Sequence, residues 1–196
     1  MVSCLLPLLR LAYKIEVTGG EKFEHAALPC LIISNHNMHL DWGILLAAMP
    51  GGFRRRLMVA AASTDIFGNP VRRFGVQVLG NAFPFDKEGS GIRDSLEFVT
   101  RMLGDGWNVL LFPEGKLTVA GPMAPFKQGI GWLVMHSGAE VVPIRIDIVR
   151  PGGYEGKWWP HPRGRVRVSI GEPVQPAAGD DYQALVTNLE RSVNEA

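Results

Sequence analysis

The chain has 196 residues, enough for one domain with a sizeable core, and its 46% hydrophobic content separates it from disordered sequences. A formal net charge of +1 lacks the strong basic excess of a nucleic-acid binder. The two cysteines, Cys4 and Cys30, offer neither a CxxC pair nor a zinc-ligand spacing, and they suit a reducing compartment.

The N-terminus reads MVSCLLPLLRLAY. It is shorter than the roughly 20 apolar residues that span a bilayer. Its positive residues, Arg10 and Lys14, follow the apolar run, whereas a signal peptide carries them first. Residues 1–14 read as an amphipathic helix, either packed on the domain or lying in a membrane interface, and residues 15–196 as the domain itself.

An apolar strand is expected over 30–34, with Cys30 in the core. A helix over 40–49 follows, then strands over 57–61 and 78–84. The clearest helix covers 92–103, where Ile92, Leu96, Val99 and Leu103 form one stripe. Ser90 is placed to cap that helix and Gly104 to end it. A strand over 109–112, a helix over 129–137 and a strand over 141–146 come next. Pro143 inside that last strand points to a strand edge or a bulge. A Gly/Pro-rich loop over 151–164 leads to a strand over 166–170, where Arg163, Arg165 and Arg167 alternate with apolar positions. The final helix covers 182–193. The arginine clusters 54–56 and 72–73 read as solvated surface or as contacts for anionic lipid. Strands alternating with helices predict a single α/β domain, with a mostly parallel central sheet flanked by helices and a short N-terminal helix.

The polar run from Ser34 to Asp41 sits where a buried strand ends and a helix begins. Ligand crevices of open α/β sheets lie outside such strand ends. A short loop lets Asp41 fold back onto His36, fix its tautomer and leave the other ring nitrogen as a base. Taken alone, the same residues also read as a structural histidine and a helix-capping aspartate. Phe112-Pro113-Glu114-Gly115-Lys116 ends a second apolar strand, and Gly80 to Lys87 runs from a third into a charged end.

Together NHNMHLD, GNAFPFDK, FPEGK and VVPI occur in the order and spacing of the four motifs of glycerolipid acyltransferases, which this sequence resembles from about Val17 to Gly171. Bacterial 1-acylglycerol-3-phosphate acyltransferases are similar to it. The resemblance implies a catalytic pair, His36 and Asp41. It implies that Lys87 stands where the family usually has a phosphate-binding arginine. Glu114 and Gly115 match the acceptor-binding third motif, which continues here with Lys116-Leu117-Thr118 in place of threonine and arginine. Pro143 matches the fourth motif, linked to the acyl donor or to local structure.

The implied reaction moves a fatty acyl group from an acyl-CoA or acyl-carrier-protein thioester to the free hydroxyl of a lysophospholipid, with lysophosphatidate as the expected acceptor and no cofactor or metal. A peripheral attachment to the cytoplasmic face of a membrane goes with such a substrate. Backbone N–H groups at the start of the helix after His36 are candidate oxyanion donors. Lysine grips phosphate as a point charge, whereas arginine makes two parallel bonds. A diester such as lysophosphatidylethanolamine is therefore expected to serve nearly as well as lysophosphatidate, unless Lys87, Lys116 and Arg93 replace the missing arginines. No G-x-S-x-G, Walker, G-x-G-x-x-G or H-E-x-x-H pattern occurs. His25, His39, His136 and His161 have no acidic partner at a telling spacing, and His39 is placed to line the cleft. Two rivals stand beside the transferase: a non-catalytic lipid- or carrier-binding module, and a thioesterase.

Overall fold

Short apolar runs such as Cys30–Ser34 and Asn108–Leu111 become strands buried on both sides, at the centre of one seven-stranded sheet. The computed structural model describes residues 5–62, 73–74, 77, 80–118, 121–149, 164–176 and 181–196. In chain order the described elements are α1 (Leu5–Ala12), β1 (Tyr13–Thr18), a 3-10 helix (Gly20–Glu24), β2 (Cys30–Ser34), α2 (Asp41–Ala48), α3 (Gly51–Arg55), β3 (Leu57–Ala62) and β4 (Ala82–Phe85). They continue with α4 (Ile92–Gly104), β5 (Asn108–Leu111), α5 (Gly129–Ser137), β6 (Glu140–Val149), β7 (Gly164–Ile170) and α6 (Tyr182–Asn194).

The sheet order is β1-β7-β6-β2-β5-β3-β4. Strands β6, β2, β5, β3 and β4 run parallel; β7 turns antiparallel to β6, and β1 runs parallel to β7. The period-two alternation of β2 divides the core. Cys30 and Ile32 face Leu9, Ile44, Leu45 and Phe53 on the side of α1, α2 and α3. Leu31 and Ile33 face Val99, Leu133 and Leu189 on the side of α4, α5 and α6. Burial pushes the Cys30 thiol up to about 12, with the Glu140 carboxylate adding to the effect, so this cysteine is core and not a nucleophile.

Helix α1 runs directly into β1 and rests on α2. Leu9 is buried, Arg10 Nη2 donates to the Ala47 carbonyl at 2.8 Å, and Leu11 points outward at 83% exposure.

Several boundaries differ from the sequence expectation. β1 was not foreseen; it is a half-exposed edge strand in which Ile15 and Val17 alternate with Lys14 and Glu16. In the stretch expected as a strand over 78–84, Gly80 is helical, Asn81 takes a left-handed φ of 49°, and only Ala82–Phe85 forms a strand. Val78 and Leu79 lie outside the described residues, as do Arg72, His161, Arg163 and the Gly/Pro-rich run over 151–163. Ser90 does not cap α4; Gly91 occupies that position without a side-chain bond. Pro143 is in an interior strand, not at a sheet edge. Its carbonyl accepts from Gly171 N–H at 2.8 Å, one position past the last β6–β7 pair, Ile144 with Ile170. The missing proline N–H therefore falls at a break in register, since antiparallel pairing resumes at Val141 with Val174, one residue out of step with Ile144 and Ile170.

Candidate active site

Parallel pairing of β2 with β5, β5 with β3 and β3 with β4 sets four carboxyl ends side by side. The chain leaving β2 carries His36, that leaving β5 carries Phe112, Pro113, Gly115 and Lys116, and that leaving β4 carries Lys87. These residues line one cleft of about 170 Å³, whose apolar walls include Trp42, Ala61, Leu96 and Ile130. His39 also lines it, as the sequence suggested.

His36 Nδ1 lies 3.0 Å from Asp41 Oδ2. Asp41 has no solvent exposure, whereas the His36 side chain keeps 20%. The same Oδ2 accepts from the N–H groups of Asn37 at 2.6 Å and Met38 at 2.9 Å. Oδ1 is buried without a hydrogen-bond partner among the described residues. A carboxylate can only accept, so the Nδ1 proton points at Asp41 and Nε2 is left with its lone pair. The imidazole stacks on Phe112, centroids 4.3 Å apart and planes 22° from parallel. The ring is thus fixed by a carboxylate in its plane and an aromatic on its face. Asn37 and Met38, in the loop before the helix, turn their N–H groups onto Asp41; at the helix start expected to supply oxyanion donors, the N–H groups of Asp41 and Gly43 donate to the Met38 and Leu40 carbonyls.

Supports that the sequence did not reveal hold this loop. Asn35 exchanges two bonds with Ile146 on β6, its Nδ2 donating to the carbonyl at 2.9 Å and its Oδ1 accepting from the N–H at 2.7 Å. Asn37 Nδ2 donates to the same carbonyl at 2.7 Å. An asparagine directly after the run Cys30–Ser34 was the available signal, since an amide at the end of a buried strand needs partners.

Glu114 does not line the cleft. It is 1% exposed, and its carboxylate accepts from His36 N–H at 2.7 Å, from Ala124 N–H at 2.8 Å and from the Thr118 hydroxyl. Its place is beneath the histidine loop, in contrast to the substrate contact expected from the motif. Gly115 does line the cleft, with a left-handed φ of 65°. A Cβ there would stand 3.4 Å from Lys127 Cγ and 3.9 Å from Lys87 Cδ. The bare glycine lets two lysine stems cross it.

Lys87, Lys116 and Lys127 all line the cleft, and Lys127, which the sequence did not single out, reaches Glu88 at 3.1 Å. Arg93 is not brought there. Its side chain is 82% exposed and pairs with Glu97 one helical turn along α4. Pro143 is also outside the lining; it packs against Gly171 and pairs with Ile33.

A family model described as Acyltransferase matches residues 14–147. A chloroplastic 1-acyl-sn-glycerol-3-phosphate acyltransferase of Brassica napus is 29% identical over 171 residues, covering 86% of this chain and 47% of that protein. The human 1-acyl-sn-glycerol-3-phosphate acyltransferase beta is 27% identical over 184 residues, covering 92% of this chain and 63% of that protein. The chain thus spans between about half and two thirds of the length of these relatives. The crystal structure of the 1-acyl-sn-glycerophosphate acyltransferase from Thermotoga maritima shares the fold, with a TM-score of 0.72 at 20% identity, covering 99% of this chain and 77% of that one. With a model match reaching from residue 14 to residue 147, this chain belongs to the acyltransferase family.

Proposed function

We propose that the protein transfers a fatty acyl group from a coenzyme A or acyl-carrier-protein thioester to the free hydroxyl of a lysophospholipid, lysophosphatidate foremost. The observation that carries this reading is the pairing of His36 with a fully buried Asp41 in a cleft that is otherwise apolar and carries three lysines. Nε2 takes the proton of the acceptor hydroxyl as its oxygen attacks the thioester carbonyl. The tetrahedral adduct collapses, the C–S bond breaks, and the thiolate receives the proton from the imidazolium. A thiol of pKa about 8.5 is a good leaving group, so no covalent enzyme intermediate is required. The two substrates balance the reaction, and no cofactor enters it. The apolar walls suit an acyl chain; Lys87, Lys116 and Lys127 suit a phosphate.

Among the described residues no helix is long and apolar enough to cross a membrane. The proposed attachment is peripheral, on the cytoplasmic face, with residues 1–14 as the interfacial element; the exposed Leu11 is its motivating feature. Thiol release from acyl-CoA, measured with and without lysophosphatidate, tests the reading. Release that needs the acceptor and vanishes in His36→Ala supports transfer. Equal release without acceptor identifies a thioesterase, and no release by the native chain with either carrier rejects the enzyme.

A further inference from the structure

Thr118 closes a small ring of hydrogen bonds around the backbone of His36. Its N–H donates to the His36 carbonyl at 2.7 Å. Its hydroxyl donates to Glu114 Oε2, and Glu114 Oε1 accepts from His36 N–H at 2.7 Å. Both backbone polar groups of the histidine are therefore held by one loop, through two residues that lie four positions apart. Ala124 N–H supplies the other donor to Oε2 at 2.8 Å. The carboxylate is only 1% exposed, so water does not readily replace a lost donor.

We propose that Thr118 is a positioning residue for the His36 base, acting through Glu114; this rests on the acyl-transfer reading above. The imidazole direction starts from the His36 backbone, and Asp41 and Phe112 fix only the far end of the side chain. A base must be held within about 0.5 Å and 10–20° of its working geometry, which requires a supporting shell of this kind. Removing the Thr118 hydroxyl breaks one link of the ring and leaves the Glu114 carboxylate and its bond to His36 N–H in place. Thr118 is not among the cleft-lining residues, so its loss leaves substrate contacts in place.

The test compares Thr118→Val, which keeps the shape and removes the donor, with Thr118→Ser, which keeps the donor. Expected for Thr118→Val is a kcat roughly 10- to 100-fold below the native value, the range for a misplaced catalytic group. The KM values for donor and acceptor stay within about twofold, and Thr118→Ser recovers most of the rate. A merely structural threonine would lower the melting temperature and leave kcat of the folded protein unchanged. A second measurement needs no turnover: the proton resonance of His36 Nδ1–H, assigned by its loss in His36→Ala. Expected in folded Thr118→Val is its broadening or disappearance, with Thr118→Ser restoring it. A native-like resonance in the valine variant overturns the proposal, as does a native-like kcat or a serine variant as impaired as the valine one. If the native chain shows no transfer at all, the functional reading fails and the resonance still decides the role of Thr118.

Discussion

Replacing Asp41 by asparagine removes one negative charge from a side chain with no solvent exposure and nearly preserves its shape. In the native site a single oxygen gathers three donors: His36 Nδ1–H and the N–H groups of Asn37 and Met38. An asparagine has to place either its carbonyl oxygen or its amide nitrogen there. With the oxygen, all three bonds survive but weaken, since charge-assisted bonds are roughly twice as strong as neutral ones. The amide NH2 then occupies the position of Oδ1, which has no partner among the described residues, and a buried unsatisfied donor costs about 1–3 kcal/mol. With the nitrogen, two backbone donors meet another donor, and the imidazole is driven to the tautomer protonated at Nε2, which cannot act as base. Both placements remove most of the benefit of a positioned base, roughly 10²–10⁴ in rate. That loss in kcat equals about 2.7–5.4 kcal/mol of transition-state stabilisation. Thiol release at saturating donor and acceptor, well below the unfolding transition of the variant, measures it. Turnover within about threefold of native in a folded Asp41→Asn protein would refute the role given to Asp41.

The lysines make a separate prediction: Lys87→Ala and Lys127→Ala each raise the acceptor KM about tenfold or more with kcat little changed, as expected for a lost charge-assisted bond, whereas Arg93→Ala leaves both parameters near native. Steady-state kinetics with varied lysophosphatidate checks all three. On the head group, lysophosphatidylethanolamine is expected to be used within about tenfold of lysophosphatidate in kcat/KM; a larger preference, above about 1.4 kcal/mol, means the lysines serve a monoester as arginines do. Leu11→Asp weakens sedimentation with anionic vesicles without changing thermal stability, because Leu11 is 83% exposed; unchanged sedimentation removes α1 from the membrane contact. Gly131→Ala would place a Cβ 2.8 Å from Val186 Cγ2 and 3.2 Å from the Tyr182 ring, where α5 meets α6. A net loss of about 1–2 kcal/mol in urea unfolding is expected, overpacking exceeding the gain in helix propensity.

The parts of this fold that were legible in the sequence carry a strong period or a continuous apolar run. Cys30–Ser34 is buried along its whole length, and the stripe of α4 buries Leu96, Val99 and Leu103 as the spacing requires. β1 escaped because it lies at a sheet edge, where burial imposes little pattern on Lys14, Glu16 and Thr18. The strand expected over 78–84 is present from Ala82, and Asn81 just before it takes a left-handed φ of 49°, which an extended strand does not hold. In the site, His36 and Asp41 were readable because their chemistry is local, five positions apart across one turn. Glu114 was readable as important but not in its role, since two of its three donors are backbone N–H groups that leave no mark on the sequence. Lys127 had no local signal at all. A lysine between Phe126 and Gln128 looks like surface until Gly115 is seen beneath its stem.

The order of strands explains why motifs scattered from Asn35 to Lys127 meet in so small a volume. Because β2 lies between β6 and β5, the loop after β2 is flanked by the carboxyl ends of both. On one flank the Ile146 backbone of β6 holds Asn35 and Asn37; on the other, the loop after β5 holds His36 through Glu114 and Thr118. The histidine is braced from two neighbouring strands before any substrate arrives. The lysines come from farther along the same edge, on segments leaving β4 and β5 and entering α5. His36 thus follows an interior strand, whereas Lys87 follows the edge strand β4, so under the proposed function a contact made by Lys87 can vary without disturbing the loop that holds the base. For the proposed reaction, this separation fits a His36–Asp41 pair that matches the resembled motif beside two positions, Lys87 and Leu117, where the family usually has arginines.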